Sequence, residues 1–140
     1  MKASIIFAIV LSSSLSAFAG QGTCNEAQSL VCTSYNILDG GAPQVGISQS
    51  AAIQDLQPEP FDPAECEASV VVEDMGIKFV ADYDQNSGFL NAWYNNAGKE
   101  AVLVSSARLQ VGVPLKTDAV IVSMNPGVRS IYYVCTVIQK

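Results

Sequence analysis

The stretch IKFVADYDQNSGFLNAWYN, Ile77 to Asn95, decides how this chain is to be folded. Its centre places Asp82, Asp84 and Asn86 at every second position and closes on Gly88, as a calcium loop would. An EF-hand loop needs acceptors at positions 1, 3 and 5, glycine at 6 and a bidentate glutamate at 12. Counted from Asp82, position 6 is Ser87, the glycine comes one residue late and position 12 is Trp93. The flanks alternate as strands do and carry no helical period. A hairpin accounts for the whole stretch. Gln85-Asn86-Ser87-Gly88 makes a four-residue loop with Gly88 left-handed. Asp84 then faces Phe89 and Tyr83 faces Leu90. This register collects Ile77, Phe79, Ala81 and Tyr83 with Leu90, Ala92 and Tyr94 on one face. It leaves Lys78, Asp82, Asn91 and Asn95 on the other. A slip of one residue would mix the two sets. The metal reading shrinks to a weak calcium site at a sheet rim, using Asp82 and Asp84.

The same punctuation extends outward. SVVVE (Ser69–Glu73) is a β-branched strand. Asp74-Met75-Gly76 reads as a three-residue hairpin loop. Asn96-Ala97-Gly98 is a further turn. Glu100 to Val113 reads as one long strand, with Ala101, Leu103, Ser105, Ala107, Leu109 and Val111 sharing a face and Arg108 and Gln110 opposite. Asn125-Pro126-Gly127 suits a type II turn. The hairpin around it would pair Val122 near Ile131 and Val120 near Tyr133.

Toward the N-terminus, Ser29–Leu38 is a strand, and the capping-box spacing of Thr23 and Glu26 allows a turn of helix before it. Asp39–Pro43 is turn chemistry and Gln44–Ser50 a short returning strand. Gln54–Glu65 holds Pro58, Pro60 and Pro63 among four acids, which excludes a central strand and a helix interior. It reads as an exposed acidic loop. There is no internal repeat. The expected fold is all-β, a small antiparallel β-sandwich or barrel of six to eight strands, with a meander in the C-terminal half.

Residues 1–19 have the layout of a secretory signal peptide: Lys2, an apolar run from Ile5 to Leu11, and a small-residue site at Ala17-Phe18-Ala19. The run is well short of the ~20 residues that span a bilayer. Cleavage after Ala19 would leave Gly20 to Lys140, a single domain of 121 residues, secreted or periplasmic, with no membrane span. That chain has six basic residues against thirteen acidic ones, a net charge of −7. Its acidity and its lack of any Lys/Arg cluster argue against nucleic-acid binding. Cys24, Cys32, Cys66 and Cys135 are even in number in an exported chain, so two disulfides are expected. Three connectivities exist. Cys32–Cys135 with Cys24–Cys66 is favoured, because it ties an early strand to the last one.

The chain contains no histidine. That removes Ser-His-Asp triads, Cys-His pairs and histidine-ligated zinc. No nucleotide, dinucleotide or other cofactor motif is present. Carboxylate pairs, Glu73 with Asp82 or Asp82 with Asp84, are the residual route to a hydrolase. A Ser–Lys dyad drawn from Ser105 or Ser106 and Lys99 or Lys116 is less specific still. Trp93, Tyr94, Tyr132 and Tyr133 are candidates for a carbohydrate-stacking platform, against the plain alternative that they fill the core and rim of the sheets. The expectation is a non-enzymatic binding or structural module with an unidentified protein or small-molecule partner. Its alternatives are an inhibitor or ligand-binding domain working through the acidic loop, and a carboxylate-dependent hydrolase.

Overall fold

The structure, a computed structural model, describes residues 23–56, 65–96, 102–123 and 127–140. The expected signal peptide, the proline-rich centre of the acidic loop, the turn after Asn96 and Asn125-Pro126 lie outside these residues. The described residues form ten strands and no helix, in two antiparallel sheets. The first sheet contains β1 (Gln28–Leu38), β2 (Gln44–Ala52), β8 (Leu115–Lys116), β9 (Val120–Ser123) and β10 (Arg129–Gln139). Its order is β2-β1-β10, with β8 and β9 sharing the far side of β10. The second sheet runs β3 (Gln54–Asp55), β4 (Cys66–Asp74), β5 (Ile77–Asp84), β6 (Phe89–Asn96) and β7 (Val102–Arg108), in chain order. The meander is therefore the run from β3 to β7. The last three strands return to the first sheet.

The alternation of the sequence sets this sandwich. Leu30 and Cys32 on β1, Val70 and Val72 on β4, and Phe79 and Ala81 on β5 all point into one core. Antiparallel strands with one buried face show this two-residue period. β5 and β6 pair in the expected register, Asp84 opposite Phe89 and Tyr83 opposite Leu90, and Gly88 has φ +73°. The chain crosses between sheets at Ile53, buried between β2 and β3, where its N–H donates to the Gln28 carbonyl at 3.2 Å.

At the centre of the core, Tyr133 from the first sheet stacks on Phe79 from the second, ring centroids 4.1 Å apart and planes 4° from parallel. Tyr94 leans on both rings at 5.6 Å. Such ring pairs add about 0.5–1.5 kcal/mol beyond the area they bury. Both expected disulfides form. Cys32 and Cys135 are directly paired across β1 and β10, Cα atoms 4.1 Å apart. Cys24 and Cys66 join the segment before β1 to the first residue of β4, and so link the two sheets. In the chain-entropy account, closing loops of this length is worth ~4–5 kcal/mol each.

Several local expectations are corrected. The residues before β1 form a turn, with the Gln28 N–H on the Asn25 carbonyl, and no helix follows Thr23. The β4–β5 connection is the two-residue turn Met75-Gly76, both at positive φ, as a type I′ hairpin requires. Asp74 stays in its strand because its carboxylate accepts hydrogen bonds from Ser34 (2.5 Å) and Asn36 (3.2 Å) of the facing sheet. Gln54 and Asp55, expected in the acidic loop, pair with Glu67 and Cys66. β9 meets β10 two residues out of the expected register, with Val120 opposite Ile131 and a bulge at Arg129/Ser130. On the β1 side of β10, the Asp39 N–H donates to the Val128 carbonyl at 2.8 Å and the Val128 N–H donates to the Asp39 carboxylate at 2.8 Å, so Val128 prolongs the β1–β10 ladder.

The core tyrosines differ in their hydroxyls. Tyr94 Oη is 2.9 Å from Thr117 Oγ1 and donates to the Asp118 carbonyl at 3.1 Å. Tyr133 Oη is buried without a partner, and burial, with Tyr94 and Asp74 nearby, pushes its ionisation well above the ordinary tyrosine range. Tyr133→Phe is therefore expected to keep or raise stability. Tyr94→Phe is expected to lose about 1 kcal/mol, because it removes the hydroxyl's hydrogen bonds to Thr117 and to the Asp118 carbonyl. Urea unfolding of the oxidised variants distinguishes the two.

Candidate functional site

The stacking residues divide among three environments. Tyr94 and Tyr133 are core. Tyr132 lies on the outer face of the first sheet, stacked on Tyr35 at 5.1 Å and covered by the Lys116 ammonium 4.1 Å above its ring. Trp93 is on the outer face of the second sheet and is the chain's single tryptophan. The four therefore form no common platform.

The strand register gives Trp93 its neighbours. Val71 on β4 is opposite Val80 on β5, Val80 is opposite Trp93 on β6, and Trp93 is opposite Leu103 on β7. These four side chains make one apolar row running across the strands. The last member arrives there through a bulge. Between Ala92 and Trp93 the β6–β7 ladder slips by one residue: Ala92 pairs with Ser105, but Trp93 pairs with Leu103. In an unbroken register Leu103 would face Tyr94 and share the inward side with Ser105 and Ala107. The bulge turns it out, 54% exposed. This corrects the reading of Glu100–Val113 as one continuous strand with one apolar face. β7 ends at Arg108, and its two halves present opposite parities. Bulges commonly re-aim a side chain in this way, and the sequence carries no glycine or proline to signal this one.

Polar rows lie one side-chain step away on both sides, ~7 Å along the strands. One is Ser69, Asp82, Asn91 and Ser106, in which Ser106 Oγ donates to Asn91 Oδ1 at 2.7 Å. The other is Glu73, Lys78 and Asn95. A shallow groove of about 250 Å³ is lined by Lys78, Val80, Asp82, Trp93 and Asn95.

The residues considered for catalysis and metal binding fall differently. Glu73 and Asp82 share the outer face but are four positions apart along the ladder, ~13 Å, beyond the reach of a hydrolase carboxylate pair. Asp82 and Asp84 are side by side on an open sheet and do not face each other across a cleft. Asp84 is already engaged. Its carboxylate accepts from the Asn86 N–H at 2.8 Å, and hydrogen bonds from Ser87 and the Asn86 backbone hold its pKa below the ordinary aspartate value. Directly opposite it, Glu67 is raised by burial and by the charges of Glu65, Asp84 and Asp82. No group of three or more metal-ligating side chains occurs among the described residues. Ser105 and Ser106 are on β7, Lys116 is in the other sheet, and Lys99 lies outside the described residues. The acidic loop is clamped at its base by the Leu56 N–H on the Glu65 carbonyl, beside Cys66. No helix among the described residues is long and apolar enough to cross a membrane.

Comparison with protein-family models, with curated proteins and with solved structures finds no match. A functional reading therefore rests on the geometry of this face.

The two opposed acids give a sign-resolved pH prediction. Asp84 has a lowered folded pKa. Its contribution is present above the ordinary aspartate pKa and is lost as pH falls through the folded value, so Asp84→Asn should flatten the acid limb of stability. Glu67 has a raised folded pKa, so the stability it contributes is present at low pH and is lost as pH rises through the folded value. Glu67→Gln should therefore gain on the wild type as pH rises through that range. Thermal unfolding followed from pH 2 to 7 reads both effects.

Proposed function

We propose that the protein is a non-enzymatic binding module, exported to the periplasm or the extracellular space, whose ligand-binding face is the outer surface of the second sheet around Trp93. The observation that carries this reading is the unbroken apolar row Val71, Val80, Trp93 and Leu103 on the outer face, whose end members are 46% and 54% exposed. A contiguous apolar row on a solvent-facing sheet, rimmed by polar rows, is a surface that a partner would cover. Export is supported by the signal-peptide layout, with cleavage after Ala19, and by two disulfides, which suit an oxidising compartment.

The single tryptophan reports on the proposed site without a label. Glycan, protein and small-molecule fractions of cell envelope and spent medium would be titrated against its emission. At least one fraction is expected to shift the emission saturably. Leu103→Asp, on an exposed edge position, should weaken that response by about tenfold or more while the fold and both disulfides persist. No shift with any fraction, or a shift indifferent to Leu103→Asp, would overturn the reading. Loss of the response on deleting Gln57–Asp62, with Leu103→Asp silent, would move the site to the acidic loop.

A further inference from the structure

We infer that the Trp93 face takes a neutral glycan chain, laid across the strands along the row Val71, Val80, Trp93 and Leu103. The inference rests on the binding role proposed above and names its ligand class. Three observations lead to it.

The first is shape. The apolar row is one side chain wide and spans four strands, ~14 Å at the usual strand spacing. A stable protein interface buries about 800 Å² per partner, far more than a single row offers. A short oligosaccharide matches the row in both width and length. The second is the arrangement of chemistry. A pyranose has an apolar C–H face and a rim of hydroxyls. The row offers the indole and aliphatic carbons to the face, and the flanking rows offer hydrogen-bonding groups to both edges of the rim. Asp82 and Asn91 lie on one side, Lys78 and Asn95 on the other. Asn91 Oδ1 holds the Ser106 hydroxyl, which leaves its NH₂ as a donor, and the Asp82 carboxylate supplies acceptors. Donors and acceptors on both sides suit hydroxyls, which need both. The third is charge. Thirteen acidic residues against seven basic ones disfavour a polyanion, and Lys78 is the only cation in the two flanking rows. This selects a neutral chain over an acidic one.

The test titrates the oxidised protein with cellohexaose, xylohexaose, chitohexaose and maltohexaose, with polygalacturonate as the anionic control, by calorimetry and by Trp93 emission. At least one neutral hexasaccharide should bind saturably and more tightly than its disaccharide, and polygalacturonate should not bind. Trp93→Ala and Asp82→Ala should each weaken binding by about tenfold or more. Trp93→Phe, which keeps an aromatic face, should restore part of it, and this guards against a loss caused by misfolding. Silence toward all four neutral sugars, or binding unchanged by Trp93→Ala, would overturn the inference. So would a concentration-dependent dimer dispersed by Leu103→Asp, because the face would then belong to a second copy. If the sugars fail while an envelope fraction of other chemistry still shifts Trp93 emission, the glycan assignment falls and the binding face stands. If both fail, both fall.

Discussion

The ladder between β1 and β10 joins residues from the two ends of the described chain over eleven paired positions, and the Cys32–Cys135 bond is its fifth rung. Both strands are central in the first sheet, and both turn their inner residues onto the meander. Leu30 and Cys32 on one strand, and Tyr133 and Val137 on the other, are fully buried. With this pairing in place, Tyr133 is set over Phe79 and the two sheets have a common core. Contacts so distant in sequence are entropically costly to bring together, and that cost is what a covalent rung relieves in the unfolded chain.

The second sheet depends less on distant parts of the chain. Its strands follow one another, each connected by a short turn where it is described, and its pairing is local. This is why its centre was legible in the sequence. Ile77 to Asn95 carries its register in its own alternation, and Gly88 marks the turn. The disulfides were readable because an even cysteine count and β-rich flanks favour linking the first strand to the last. Neither inference needed the rest of the molecule.

The remaining features were set by partners the sequence does not reveal. The β4–β5 turn tightened to two residues because Asp74 is held by Ser34 and Asn36 of the other sheet. The register of β9 is set across a bulge at Arg129/Ser130, and Val128 beside it is held by Asp39 at the end of β1. The division of aromatics was half legible: Tyr132 and Tyr133 had to point to opposite sides, and Val80 falls opposite Trp93 in regular register, but a bulge with no sequence marker sets Leu103 beside Trp93 where an unbroken ladder would set Val104. The proposed site is therefore the part that alternation alone misplaces. Leu103, assigned by period to the inner face, takes the end of the outer row in place of Val104.

The two covalent bonds are not equally accessible to chemistry. Cys32 and Cys135 have no solvent exposure, whereas in the other bond Cys66 is buried and Cys24 is half-buried. A thiolate must reach a sulfur atom to exchange with it. In the native protein a reductant therefore meets the Cys24–Cys66 bond first, and it reaches the inner bond only after the ladder around it has opened. Reductive damage is thus ordered in space. The half-buried bond is the one open to a reductant while the first sheet is still covalently closed.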